Sequence, residues 1–146
     1  MNLLKSLLST KSLFSNSFDW GMLILRVIPS FFLFNNHGLR KLGKGVVSWE
    51  GLGEAAMPIV GISFGFAFFG FLAALSESIF ALLVMVGLNT RIFSLFVLFT
   101  MFMAGTYHLV GGESGEEAYI YFVIYLVIFV LGPGNYSIDY RLFNKK

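Results

Sequence analysis

Residues 59–88 read IVGISFGFAFFGFLAALSESIFALLVMVGL, and Glu77 is their one formal charge. A helix crosses the hydrocarbon core of a bilayer with about 20 apolar residues. This run is longer than one crossing needs, so it is expected to tilt or to project beyond the membrane. Working outward, residues 20–36 form a second apolar run, carrying Arg26 and Pro29, and residues 92–110 a third. Residues 118–131 form a fourth, too short by itself, so its helix is expected to begin inside the acidic segment before it, at Glu117. Continuous apolar runs suit helices, which satisfy their own backbone groups in lipid, better than barrel strands. The expected fold is all-α: a single integral membrane domain over 1–146, a transmembrane four-helix bundle with spans at 20–36, 59–88, 92–110 and 117–131.

Composition agrees. Of 146 residues, 57% are hydrophobic and 12% charged, and the mean hydropathy is +0.80. Soluble domains carry about 25% charged residues, and a chain this short cannot hide so much apolar surface from water. There is no cysteine, which excludes disulfides, thiol catalysis, cysteine-ligated iron–sulfur centres and covalently attached c-type haem. Ten Lys/Arg against eight Asp/Glu form no basic stripe, so nucleic acid is not an expected partner. The expected partners are the lipid bilayer and either other subunits or a second copy of the chain.

An even number of crossings puts both termini on one side. Lys5, Lys11, Arg91, Arg141, Lys145 and Lys146 lie in the termini and the loop between spans two and three. The other two loops hold Arg40, Lys41 and Lys44. The positive-inside rule then places both termini in the cytoplasm. Residues 1–18, MNLLKSLLSTKSLFSNSF, space Leu3, Leu4, Leu7, Leu8 and Phe14 as one face of an amphipathic interfacial helix, and no small-residue cleavage site marks a secretory signal. The Gly-rich segment 38–58 reads as an outer loop with Trp49 and Leu52 as surface anchors. Gly132-Pro133-Gly134-Asn135 stops the fourth helix, and Asp139, Tyr140 and Arg141 follow as a wet tail. Gly61 and Gly65, with Gly70 beyond them, form a GxxxG pattern that permits close helix packing.

Charges inside a span cost about 2.5–3.5 kcal/mol each at its centre, so Arg26, His37, Glu77, His108 and Glu117 need a reason to be there. At 1.5 Å per residue, Arg26 and Glu77 both fall between the inner boundary and the middle. An Arg26–Glu77 ion pair is the expected way to satisfy both, as a structural lock or as the electrostatic base of a pocket. His37, His108 and Glu117 fall together at the opposite boundary, on three different helices. Arg26 and His37 share a helix face, with Ser30 near it. Glu117, Tyr121 and Tyr125 follow i, i+4, i+8 spacing and could extend a polar track inward. The plainer readings are interfacial histidines, a solvated acidic loop and an aromatic belt. No HxxxH or ExxH spacing assembles a metal site, and none is expected. Haem b is disfavoured because both histidines lie near one surface and His37 ends its helix beside Gly38.

Several segments now line up in order. Arg26 is followed by His37-Gly38-Leu39-Arg40-Lys41-Leu42, then Leu75-Ser76-Glu77-Ser78 and Gly87-Leu88-Asn89-Thr90-Arg91. His108 ends the third span, Glu117-Ala118-Tyr119 opens the fourth, and Leu131-Gly132-Pro133-Gly134-Asn135-Tyr136-Ser137-Ile138-Asp139 closes the pattern. Over residues 23–139 this resembles the DoxX family of small four-helix membrane proteins. The resemblance implies a bacterial inner-membrane protein. It also implies a link to quinone-coupled oxidation, as in thiosulfate:quinone oxidoreductase subunits, or to membrane complexes against oxidative stress. Related proteins include assembly factors. The chain departs from the pattern in its long Gly-rich loop, 43–53, and in Ser76 and Ser78 around Glu77.

The resulting expectation is a membrane subunit with a quinone or quinol in a polar pocket within the bundle, possible enzymatic activity being that of a quinone-coupled oxidoreductase subunit. His37, His108 and Glu117 would act in catalysis, since a histidine exchanges protons near neutral pH. Tyr121 and Tyr125 would contact the ligand, and Arg26–Glu77 would support the pocket. The alternative is a non-enzymatic scaffold or assembly factor of a larger membrane complex. A small transporter is less favoured, because no paired inverted repeats are visible.

Overall fold

A computed structural model describes Ser12 and residues 14–144. Of the amphipathic helix expected over 1–18, residues 1–11 and 13 lie outside the described residues, while 14–16 form a bend and turn before the first long helix starts at Ser17. Among the described residues every regular element is helical.

The first helix is longer than its sequence suggests. Helix α1, Ser17–Leu33, passes through Pro29, makes one π-helical turn over Phe34–Gly38 and continues as α2, Leu39–Gly43. Together they run 27 residues, past the expected end at residue 36. The Asn35-Asn36-His37-Gly38 stretch does not break the helix, because a π-turn absorbs the irregularity while keeping the backbone hydrogen-bonded.

The segment expected as an outer loop is also helical. A turn at Gly45 leads into α3, Val46–Ala56, and a 3-10 turn over Met57–Val60 ends it. Helix α4, Phe66–Leu75, comes back along it. A side chain on Gly53 would meet the Phe66 backbone, and one on Gly70 the Trp49 backbone. The two helices therefore run antiparallel in near backbone contact. Trp49, half-buried, packs within this part of the chain: its ring lies 4.7 Å from that of Phe71 and its indole N–H donates to the Lys41 carbonyl at 3.0 Å.

The second span thus begins at Phe66 and not at residue 59. It continues through a π-turn, Ser76–Phe80, into α5, Ala81–Val86. Gly61 and Gly65 sit in the reversal at φ 79° and 67°, a left-handed conformation that glycine adopts freely. They make the turn between α3 and α4 and are not a helical GxxxG face.

Helix α6, Thr90–Val110, and α7, Glu116–Leu131, complete the long elements, and a short α8, Ile138–Phe143, follows. The α1–α2, α4–α5 and α6 helices are each long and apolar enough to cross a membrane. Met22, Leu33, Ala81, Val84, Val97, Met101, Tyr125 and Ile128 make one buried cluster drawn from α1, α5, α6 and α7. Outward, Phe31, Phe32, Phe68, Phe99 and Phe102 are exposed, a surface that suits hydrocarbon and not water.

Candidate functional site

The two π-turns face each other. Gly38, at the end of the first, lies against the backbone of Glu77 and Ser78 in the second, so close that any side chain there would strike the Glu77 carbonyl. That contact sets the register between the two helices. One turn beyond Gly38 in α2, Lys41 reaches across to Glu77, its Nζ 2.6 Å from Oε1. Glu77 is buried, and its Oε2 has no hydrogen-bond partner among the described residues. The flanking hydroxyls do not serve it: Ser76 donates to the Leu72 carbonyl at 2.8 Å and Ser78 to the Ala74 carbonyl at 2.6 Å.

The expected Arg26–Glu77 pair is not formed. Arg26 is fully buried beside Gly87 and Ser137 and donates from Nη2 to the Tyr136 carbonyl at 2.7 Å. Glu77 stands ten residues before Gly87, about 15 Å along the helix, too far for an arginine to span. Two residues at similar depth on different helices need not touch. The partner is Lys41, which the expected end of span one at residue 36 had left in the loop. The signal for it was the i, i+4 spacing of His37 and Lys41, legible only if the helix is carried past Gly38.

His37, His108 and Glu117 line one cavity, but the two histidines pair with different carboxylates. His37 Nε2 lies 3.1 Å from Glu117 Oε1, which ties α1–α2 to the start of α7. His108 Nδ1 lies 2.8 Å from Glu113 Oε2, a residue expected only as loop. Two cavities meet here. The first, about 360 Å³, is lined by His37, Lys41, Glu77, His108, Glu117 and Tyr121 among others. The second, about 460 Å³, is lined mainly by apolar side chains, including Met57, Phe69, Leu72, Phe99 and Met103. His37, Lys41, Glu77, Ala104 and His108 line both. Tyr121 lines the first cavity, whereas Tyr125 is buried outside both, its hydroxyl 2.8 Å from Ser30 Oγ.

Chemically, the junction offers an ammonium–carboxylate pair, its carboxylate buried and its ammonium partly exposed, between an apolar chamber and a polar one. Two imidazole–carboxylate pairs stand at the more exposed end, where protons can be exchanged with solvent. Among the described residues no group of three His, Cys, Asp or Glu side chains is arranged to hold a metal ion.

A family model, DoxX, matches residues 21–109, more than half of the chain. No curated protein and no solved structure matches.

Proposed function

The chain belongs to the DoxX family, membrane proteins linked to membrane oxidoreductase roles, and on that premise we propose that it is a subunit that binds a quinone or quinol where the two cavities meet. One observation carries the reading: a polar and an apolar cavity share the Lys41–Glu77 pair and both histidines. A quinone head needs hydrogen-bonding groups for its oxygens and an apolar slot for its ring and tail. Lys41, Glu77, His37 and His108 fit the first need; Phe69, Leu72, Phe99 and Met103 fit the second. The volumes, about 360 and 460 Å³, suit a small-molecule site. Such a ligand supplies two-electron, two-proton chemistry. The chain's part is to hold the head at Lys41–Glu77 and to pass protons through His37–Glu117 and His108–Glu113. In this reading α7 is the fourth crossing, both termini face the cytoplasm of a bacterium, and electrons come from a partner in an oxidoreductase or oxidative-stress complex.

The test is direct titration of the purified protein in detergent with a short-chain benzoquinone. Saturable binding is expected. Ala104→Leu adds bulk at the junction and should weaken binding about tenfold or more, the scale of misplaced methylenes in a fitted pocket. His108→Ala and Glu117→Gln should weaken it less. Binding that all three variants leave unchanged would place the ligand elsewhere and end the proposal.

A further inference from the structure

We propose that this site discriminates by redox state, taking the hydroxyl-bearing quinol in preference to the quinone. The inference rests on the reading above and adds which form of the ligand is bound.

Glu77 decides it. Its Oε1 is occupied by the Lys41 ammonium. As half of an ion pair the carboxylate has no proton to give, so Oε2 can only accept a hydrogen bond. That oxygen is buried and unpartnered among the described residues. The hydroxyls of its two sequence neighbours, Ser76 and Ser78, are turned back on their own helix. A buried acceptor without a donor carries its full desolvation penalty. Glu77 lines both cavities although Oε2 itself is covered, so a ligand head that turns the carboxylate toward the cavity can bring the missing donor. A phenolic O–H does so; a quinone carbonyl, itself an acceptor, sets oxygen against oxygen.

The other polar groups that line both cavities do not reverse this preference, and Arg40, a donor in the apolar cavity's lining, is exposed and has solvent as a partner. Lys41 is partly exposed, so its other N–H groups have solvent as an alternative to a ligand carbonyl. His37 and His108 are engaged with Glu117 and Glu113, and an imidazole can either donate or accept. Among the groups lining the junction, Glu77 Oε2 alone is both sealed and restricted to one role.

A hydrogen bond to a charged acceptor corresponds to about a ten- to hundredfold change in affinity. A tenfold preference for the reduced form raises the potential of the bound two-electron couple by about 30 mV, making the bound quinone a better electron acceptor than the free one.

The experiment compares three ligands with one tail on the wild-type protein, anaerobically: quinone, quinol and quinol dimethyl ether. The ether keeps the ring and both oxygens of the quinol, lacks its donors and adds a methyl group at each oxygen, so the quinone, which adds no bulk, is the decisive comparison. The quinol is expected to bind about tenfold or more tightly than the quinone, and the ether no better than the quinone. Glu77→Gln, whose amide can donate as well as accept, should bring the quinol-to-quinone ratio near one. If that variant does not fold, the three-ligand comparison decides alone. Quinone or ether binding as tightly as the quinol overturns the preference and leaves quinone-class binding standing. Failure of all three ligands to bind overturns the proposed function, and this inference with it.

Discussion

Gly38 holds the helix pair together by having no side chain. A methyl group there would strike the Glu77 carbonyl and the Ser78 backbone, and the backbone of a packed helix cannot yield as a flexible side chain can. Gly38→Ala is therefore expected to lower stability by about 1–3 kcal/mol through overpacking, although alanine is the better helix former. Gly21 is the control: it is helical, with nothing within 4 Å of where a Cβ would stand. Gly21→Ala should be neutral or gain up to about 1 kcal/mol. Thermal unfolding in detergent measures both, and equal effects would show that the Gly38 contact does not set the packing. At this scale the sequence identifies which residues are costly in a membrane and leaves their partners open. A charge at a given depth can pair with any opposite charge that packing brings near, and only the Gly38 contact chooses Lys41 over Arg26 for Glu77.

The elements depend on one another at their ends. Asp139 was expected in a wet tail, yet it accepts from the Asn89 N–H at 2.7 Å, the Thr90 N–H at 2.9 Å and the Thr90 hydroxyl at 2.7 Å. It satisfies backbone donors at the start of α6 that the helix itself leaves free, and its negative charge suits that end of the helix dipole. Asp139→Ala should cost about 1–2 kcal/mol, the range for loss of a helix cap, and should speed hydrogen exchange at Asn89 and Thr90. Unchanged exchange there would mean that the C-terminal segment merely rests on the turn. Helices α4, α5 and α6 are legible because their apolar runs are long, and α7 because a shorter apolar run follows an acidic start at Glu117. Helix α3 is not: Gly51, Gly53 and the turn at Gly45 read as loop, and its helix is held by close packing along α4, a non-local contact that overrides weak local propensity.

On the scale of the whole molecule, the chain is an apolar assembly with polar contacts at both ends of its helices and one internal ammonium–carboxylate pair. Because it has no cysteine, topology can be probed with single cysteines. Ser114 and Asn144, both exposed, flank α7. If α7 crosses the membrane, Ser114→Cys should react with an impermeant maleimide from outside intact cells and Asn144→Cys only after the cells are opened. Labelling of both from the same side would leave α7 as a helix that does not cross. The sequence by itself determined that the chain is helical and membrane-bound and that it belongs with the DoxX proteins, because hydropathy over about 20 residues and the order of short motifs are properties of the chain read locally. Tertiary structure alone decided that the second span starts at Phe66, that Glu77 pairs with Lys41 and that His108 pairs with Glu113. Those outcomes depend on the register between helices, which is set by contacts between residues far apart in the chain.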